Sequence, residues 1–130
     1  MSRAVQLLAP FAWMAVIWAL SSIPATPDHT MAGIFIPKVI QKTMHVIFYA
    51  ILGGLWVMAL GPLTRVSAVS AVGLTTVYAA VDEIHQTFTP GRFGSPADVA
   101  LDAAAAALAV VAVRAAVGMR QPYPPRRARR

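Results

Sequence analysis

The sequence contains no cysteine and little charge, and these two absences restrict the class of protein. Without cysteine, disulfides and thiol chemistry are excluded. Charged residues make up 12% of the 130 residues, and only five residues are acidic. By contrast, hydrophobic residues make up 58%, and the mean hydropathy is +0.63. This composition lies outside the range of soluble globular domains. The sequence therefore predicts a protein that lies in a lipid bilayer.

Four apolar runs indicate how the chain crosses the bilayer. They cover residues 4–20, 43–60, 66–81 and 99–117, and each is close to the ~17–25 residues that span a hydrocarbon core about 30 Å thick. The runs lack the two-residue alternation of strands, and a membrane span must satisfy its backbone internally, so each is predicted to be helical. We expect an all-α, integral-membrane four-helix bundle over residues 1–118, followed by a disordered basic cytoplasmic tail at residues 119–130. An alternative for the first run is a cleaved signal peptide, since Arg3 precedes it and small residues follow it.

The distribution of lysine and arginine predicts the orientation of these helices. If both termini lie inside, eight basic residues fall on the inner side and three on the outer side, as the positive-inside rule requires. We therefore expect a multi-pass protein of the bacterial cell membrane with cytoplasmic termini. The pI of 10.9 follows from this topology. Nucleic acid is not an expected partner, because no folded domain displays the arginines. The inner residues are Arg3, Arg65, Arg114, Arg120, Arg126, Arg127, Arg129 and Arg130; the outer ones are Lys38, Lys42 and Arg92.

Polar residues in the second run fall at helical spacing. Gln41, His45 and Tyr49 recur every four residues, and Lys42 precedes His45 by three. Residues three or four apart lie on the same face of a helix. These side chains are therefore expected to form one polar stripe at the outer end of the second helix.

The end of the third run carries a similar group. Tyr78, Asp82, His85 and Gln86 are spaced to share one helix face, whereas Glu83 is expected to point about 100° away. With the predicted topology, this group lies at the same outer end as the stripe on the second helix. The two polar faces are therefore predicted to meet inside the bundle.

The fourth run opens with two aspartates and follows a turn that carries an arginine. Asp98 and Asp102 are four residues apart, so Asp102 lies about one turn deeper in the membrane. Ser95 and Pro96 fit the N-cap and N1 positions, which makes helix capping an alternative role for Asp98. Arg92 follows a Pro-Gly turn and is a candidate clamp for a carboxylate or phosphate; the alternative is an interfacial arginine on lipid phosphate.

Two interpretations account for this concentration of charge. Ionisable groups inside a bilayer cost about 2.5–3.5 kcal/mol each on insertion scales, so they face the bundle interior and find partners. The cluster is either an outward-opening polar pocket that binds a charged group or transfers protons, or a set of mutually neutralising charges that hold the helices together. In the second interpretation, Asp82 or Asp102 pairs with Lys42 or Arg92.

The sequence predicts neither a metal nor a cofactor. His45 and His85 would have to meet across helices to ligate a metal with Asp82 or Glu83, and the spacings HxxxH and HExxH are absent.

Several segments together resemble the VanZ family of small bacterial membrane proteins. They are LSSIP after the first run, KTMHVIFYAILG in the second helix, DEIHQTFTPGR after the third run, and ADVALD at the start of the fourth helix. The resemblance extends over residues 13–109. It implies a multi-span membrane protein linked to glycopeptide resistance, teicoplanin in particular.

The resemblance also implies a set of polar site positions. Position 102, commonly asparagine in the family motif, is Asp102 here. The matching positions in this sequence are Ser21, Ser22, Pro24, Lys42, His45, Tyr49, Asp82, Glu83, Gln86, Arg92 and Asp98.

Three functional hypotheses follow from these residues. In the first, the outward polar pocket engages a cell-envelope component, either a lipid-linked wall precursor or a glycopeptide. In the second, a membrane enzyme acts on a lipid-borne phosphate or sugar through a histidine base and a carboxylate. In the third, the cluster is purely structural. The candidate ligand-binding residues are Lys42, His45, Tyr49, Asp82, Glu83, Gln86, Arg92, Asp98 and Asp102. The candidate catalytic residues are His45, Asp82, Glu83 and His85.

Overall fold

The fold is built from four long helices, as the apolar runs predicted. The computed structural model describes residues 2–25, 30, 31, 34, 35 and 38–118. Within these residues the helices are α1 (Arg3–Ser21), α2 (Lys38–Ala59), α3 (Arg65–Gln86) and α4 (Pro96–Gly118). The predicted all-α class is therefore confirmed. A two-residue antiparallel pair, β1 (Thr30–Met31) with β2 (Ile34–Phe35), lies between α1 and α2 and was not predicted. The proposed basic tail at residues 119–130 lies outside the described residues.

Local capping signals explain where α1 and α3 begin. The Ser2 side chain accepts the Val5 N–H at 3.4 Å before α1. Thr64 Oγ1 accepts the Ser67 N–H at 3.1 Å before α3. Both satisfy a main-chain donor that has no partner within the helix. α2 begins before the apolar run at residues 43–60, and α3 ends after the run at residues 66–81, so these helices also carry the polar residues that flank the runs.

The helices α2 and α3 form the centre of the bundle. Each of them packs against α1 on one side and α4 on the other, and α1 does not contact α4. Ile17, Tyr49, Leu52 and Ala79 form one buried apolar cluster among α1, α2 and α3. A second cluster lies among α2, α3 and α4, towards the other end of the bundle. The space between the first cluster and the start of α4 is filled by polar side chains.

Two connections define the ends of the bundle. At one end, the Ala25 N–H after α1 donates to the Pro90 carbonyl oxygen at 3.0 Å, which joins the segment after α1 to the turn after α3. Gly91 in that turn has φ +75°, and a Cβ there would overlap the Ala25 carbonyl. At the other end, Arg3 Nη2 lies 3.7 Å from the Cβ position of Gly61, in the turn between α2 and α3. The helices therefore alternate in direction.

The surface of the bundle suits a lipid environment. Three helices, Arg3–Ser21, Val39–Ala59 and Pro96–Gly118, are long and apolar enough to cross a membrane. The chain is accordingly a membrane protein.

α3 is not one of these three helices, and five of its buried residues are polar, among them Thr75 and Asp82. Its outer face exposes Val66, Val77 and Ile84, which are 75%, 65% and 61% exposed. Its 22 residues give it a length of about 33 Å, enough to span a hydrocarbon core. A fourth crossing by α3 stays a prediction.

Candidate functional site

Asp82 is the centre of a buried hydrogen-bond network that joins three helices. Its Oδ2 accepts from Ser21 Oγ at 2.9 Å, from Tyr49 Oη at 3.1 Å and from Gln86 Nε2 at 3.0 Å. Asp82 is 0% exposed, so these donors replace the water that Oδ2 would otherwise bind, while Oδ1 has no hydrogen-bond partner among the described residues. The helical spacing predicted that Asp82 and Gln86 would share a face and that Tyr49 would meet them. Ser21 was indicated by the family resemblance alone.

His45 lies close to two carboxylates that come from other helices. Its Nδ1 is 3.6 Å from Asp102 Oδ2, which is within ion-pair range but beyond hydrogen-bond length. Its Nε2 is 3.4 Å from Gln86 Nε2. One atom each of His45, Glu83 and Asp102 lies within 4.8 Å of the other two. The three residues belong to α2, α3 and α4, so their meeting depends on tertiary packing.

Glu83 faces the start of α4 and lies on a different side of α3 from Asp82. Its Oε2 accepts the main-chain N–H of Ser95 at 2.6 Å, directly before α4. The expected divergence from Asp82 is therefore seen. Glu83 is nevertheless only 6% exposed, because α4 covers this second face of α3.

Lys42 and Asp98 form an ion pair at the rim of the site. The distance from Lys42 Nζ to Asp98 Oδ1 is 2.7 Å, and 58% of the lysine side chain is exposed. The sequence analysis considered an ion pair of Lys42 with Asp82 or Asp102, and that prediction is wrong, because Lys42 pairs with Asp98. The lysine lies one turn before His45 on α2, and that position brings it to Asp98 in the first turn of α4.

Arg92 fastens the turn after α3 to the end of α1. Its Nε donates to the Ile23 carbonyl oxygen at 3.1 Å, and its Nη2 donates to that of Leu20 at 3.3 Å. The sequence did not predict these main-chain contacts. Desolvation by burial lowers the pKa of the Arg92 guanidinium, while the negative charges of Asp82 and Glu83 act in the opposite direction. The guanidinium is therefore both anchored and within the field of the buried carboxylates.

His85 lies apart from the other candidate residues. Its ring stacks on Trp18 with centroids 3.8 Å apart, and its Nε2 lies 3.0 Å from Ser22 Oγ. The expectation that His85 would join Asp82 inside the bundle is wrong, because the imidazole packs on Trp18 and Ser22 at the end of α1. Of the two histidines that the structure describes, His45 is the one beside the buried carboxylates.

Two aromatic side chains position α1 and were not predicted to do so. Trp13 Nε1 donates to the Phe48 carbonyl oxygen at 3.0 Å, and Tyr78 Oη donates to that of Met14 at 2.6 Å. Tyr78 was expected to share the polar face of Asp82, but its hydroxyl bonds to α1. The signal available in the sequence was a polar aromatic tip inside an apolar run, which needs a hydrogen-bond partner when buried.

Two cavities meet at this end of the bundle. The first, of about 230 Å³, lies between the beginnings of α2 and α4 and the end of α3. The second, also about 230 Å³, lies between α1 and α2 and has mostly apolar walls that include Leu20, Met44 and Phe48. Both are bounded by Gln41, His45 and Arg92. The walls of the first cavity are Gln41, Lys42, His45, Glu83, Gln86, Gly91, Arg92, Phe93, Ser95, Asp98, Leu101 and Asp102.

The comparisons with known proteins identify the family. No curated protein and no solved structure matches the chain. The family model described as VanZ/LLP1 matches residues 1–117, which cover all four helices except Gly118 at the end of α4. The resemblance that was based on four short segments is thereby confirmed over nearly the whole chain. The chain belongs to the VanZ/LLP1 family.

Proposed function

We propose that this VanZ-family protein engages a lipid-linked component of the cell envelope and thereby contributes to glycopeptide-type resistance. The polar cavity opens on the outer face of the bilayer and takes an anionic group such as a phosphate. The observation that carries the proposal is the junction of a polar cavity and an apolar one at Gln41, His45 and Arg92. A ligand that fills both must be amphiphilic.

The adjoining cavities favour a lipid-linked wall precursor over a glycopeptide as the direct ligand. An apolar chain would lie against Leu20, Met44 and Phe48, which line the cavity between α1 and α2. Its anionic head would face Lys42 and Arg92 in the polar cavity. Ligand sites in proteins commonly combine apolar walls with a few polar groups that fix orientation. The resistance part of the proposal is supported by family membership.

The test is an analysis of the lipids that copurify with the protein. Protein extracted in mild detergent is expected to retain a polyprenyl-linked phosphate that Arg92→Gln loses. A hydrogen bond to a charged group contributes about 1.5–3 kcal/mol, so we expect retention to fall by about 10- to 100-fold. Arg65→Gln is the matched control, because Arg65 begins α3 at the other end of the bundle. Equal lipid retention by all three proteins would contradict the proposal.

The resistance part has a separate readout. Expression of the wild-type protein should lower glycopeptide susceptibility in the host strain, and Arg92→Gln should not. If removal of the gene leaves susceptibility unchanged while lipid retention still depends on Arg92, the lipid-binding part stands and the resistance part is withdrawn.

A further inference from the structure

We infer that His45, Glu83 and Asp102 form a binding site for one divalent transition-metal ion, with Zn²⁺ as the expected ion. A potential ligand atom from each residue lies within 4.8 Å of the other two. Two atoms bound at about 2.1 Å to a tetrahedral centre lie about 3.4 Å apart. The observed 3.6 Å between His45 Nδ1 and Asp102 Oδ2 is close to that spacing. Glu83 lies within 4.8 Å of both atoms, so a shift of up to about 1.4 Å would bring it to the same spacing.

The state of Asp102 is the second, independent observation. Asp102 is 1% exposed and lines the polar cavity. Neither of its carboxylate oxygens has a hydrogen-bond partner among the described residues, and neither does His45 Nδ1. Buried polar groups are almost always paired, and a buried carboxylate without a hydrogen-bond partner destabilises a fold. A cation between these atoms would satisfy all three.

The charge balance also favours a divalent ion. The cavity and the adjoining Asp82 network contain four carboxylates and two cationic side chains. One of the cations, Lys42, already pairs with Asp98 at 2.7 Å. With His45 neutral, the excess is two negative charges, which is the charge that one divalent ion cancels.

The ligand set and its surroundings fit zinc. One imidazole and two carboxylates form a three-ligand set that Zn²⁺ accepts, and the fourth position is left open. That position would face the polar cavity, where water or a phosphate oxygen completes the coordination. The Ser95 N–H holds Glu83 through Oε2, and a carboxylate held by one oxygen can still coordinate through the other.

This inference does not depend on the proposed function. The three ligands would bind the ion whether or not a lipid enters the cavity. If the protein binds metal but retains no lipid, only the proposed function is contradicted. If it retains lipid but binds no metal, only the metal site is contradicted.

The experiment measures metal binding by the purified, untagged full-length protein. After removal of metal with a chelator, the protein is titrated with Co²⁺, which gives a visible absorption band in tetrahedral sites and which Zn²⁺ should displace. We expect about one ion per chain. His45→Gln, Glu83→Gln and Asp102→Asn should each weaken binding at least about tenfold, since even changes to the partners of metal ligands have effects of that size. The controls are His85→Gln, for a histidine that stacks on Trp18 outside the site, and Arg65→Gln, at the other end of the bundle; both should bind as the wild type does.

A second measurement on the wild-type protein covers the case in which a variant does not fold. X-ray absorption of the zinc-loaded protein should show oxygen and nitrogen ligands with one imidazole. Absence of stoichiometric binding, zinc without an imidazole ligand, or equal affinity in the folded site variants and the controls would each overturn the inference.

Discussion

At the residue scale, the two fully buried aspartates have different surroundings and therefore different expected roles. Asp82 accepts three side-chain hydrogen bonds through Oδ2. Asp102 accepts none within the described residues. A carboxylate supplied with donors connects helices, whereas one that lines a cavity without donors is available to a ligand. We assign structural support to Asp82 and ligand binding to Asp102 on this difference.

Substitution of Asp82 should destabilise the fold. Asp82→Ala leaves the Ser21, Tyr49 and Gln86 donors without their acceptor, and each stranded buried donor costs about 1–3 kcal/mol unless it finds another partner. Asp82→Asn should cost less, because its carbonyl oxygen still accepts. The measurement is the free energy of unfolding, or the midpoint of thermal unfolding, in detergent.

The control for this change is Asp98→Asn at the exposed rim. Its ion pair with Lys42 is partly exposed, since 58% of the lysine side chain and 21% of the aspartate side chain are accessible, and ion pairs open to solvent contribute little to stability. The free energy of unfolding should therefore stay near the wild-type value. If Asp82→Ala and Asp98→Asn reduce stability equally, Asp82 does not have the connecting role described here.

At the element scale, the contact between α2 and α4 depends on small residues. A Cβ built on Gly53 would lie 2.9 Å from both Cα and Cβ of Ala106, which is 0% exposed. Helices in membranes pack closely at such positions because lipid offers no hydrophobic force to drive association. Ala106 belongs to a run of five alanines in α4, at residues 103–107.

Gly53→Ala should therefore force α2 and α4 apart. Overpacking of a close contact costs about 1–3 kcal/mol, and thermal unfolding in detergent will report the loss. Gly54→Ala is the matched control, because its Cβ would meet only Val113 Cγ2, at the ordinary distance of 3.9 Å. Alanine is the better helix former by about 1 kcal/mol, so the control should be neutral or stabilising. A destabilised Gly54→Ala with an unaffected Gly53→Ala would refute this description of the contact.

The sequence predicted the helices better than it predicted which faces of them meet. Apolar runs reveal helices because bilayer thickness fixes their length. The burial of Glu83 and the departure of His85 depend on which neighbour covers each side of α3, and helical spacing does not contain that information. Asp82 and Gln86 were predicted to lie together because both lie on the side that faces α2. The pairing of Lys42 with Asp98 could not be predicted, because it depends on the level along α2 at which α4 begins.

At the scale of the whole molecule, polarity is arranged in two directions. Side to side, polar groups such as Thr75 and Asp82 are buried while large apolar side chains such as Leu108 and Val111 face outward. This is the distribution expected of a protein whose solvent is lipid. End to end, the carboxylates and both cavities lie at one end, and Arg3 and Arg65 begin helices at the other. The difference between the two ends of the bundle is the basis for the predicted orientation.

The orientation is testable with reporters fused along the chain. Reporters after Arg65 or Arg130 should be cytoplasmic, and those after His29 or Arg92 should be extracytoplasmic, because the arginine-rich end stays inside. The structure makes the test sharper, since α3 lies between Arg65 and Arg92 and is the helix whose composition alone does not mark it as a span. Equal readings at Arg65 and Arg92 would mean that α3 does not cross the bilayer. A cytoplasmic reading at His29 and an extracytoplasmic reading at Arg130 would mean that the cavity opens towards the cytoplasm. An envelope ligand on the outer face could then not reach it.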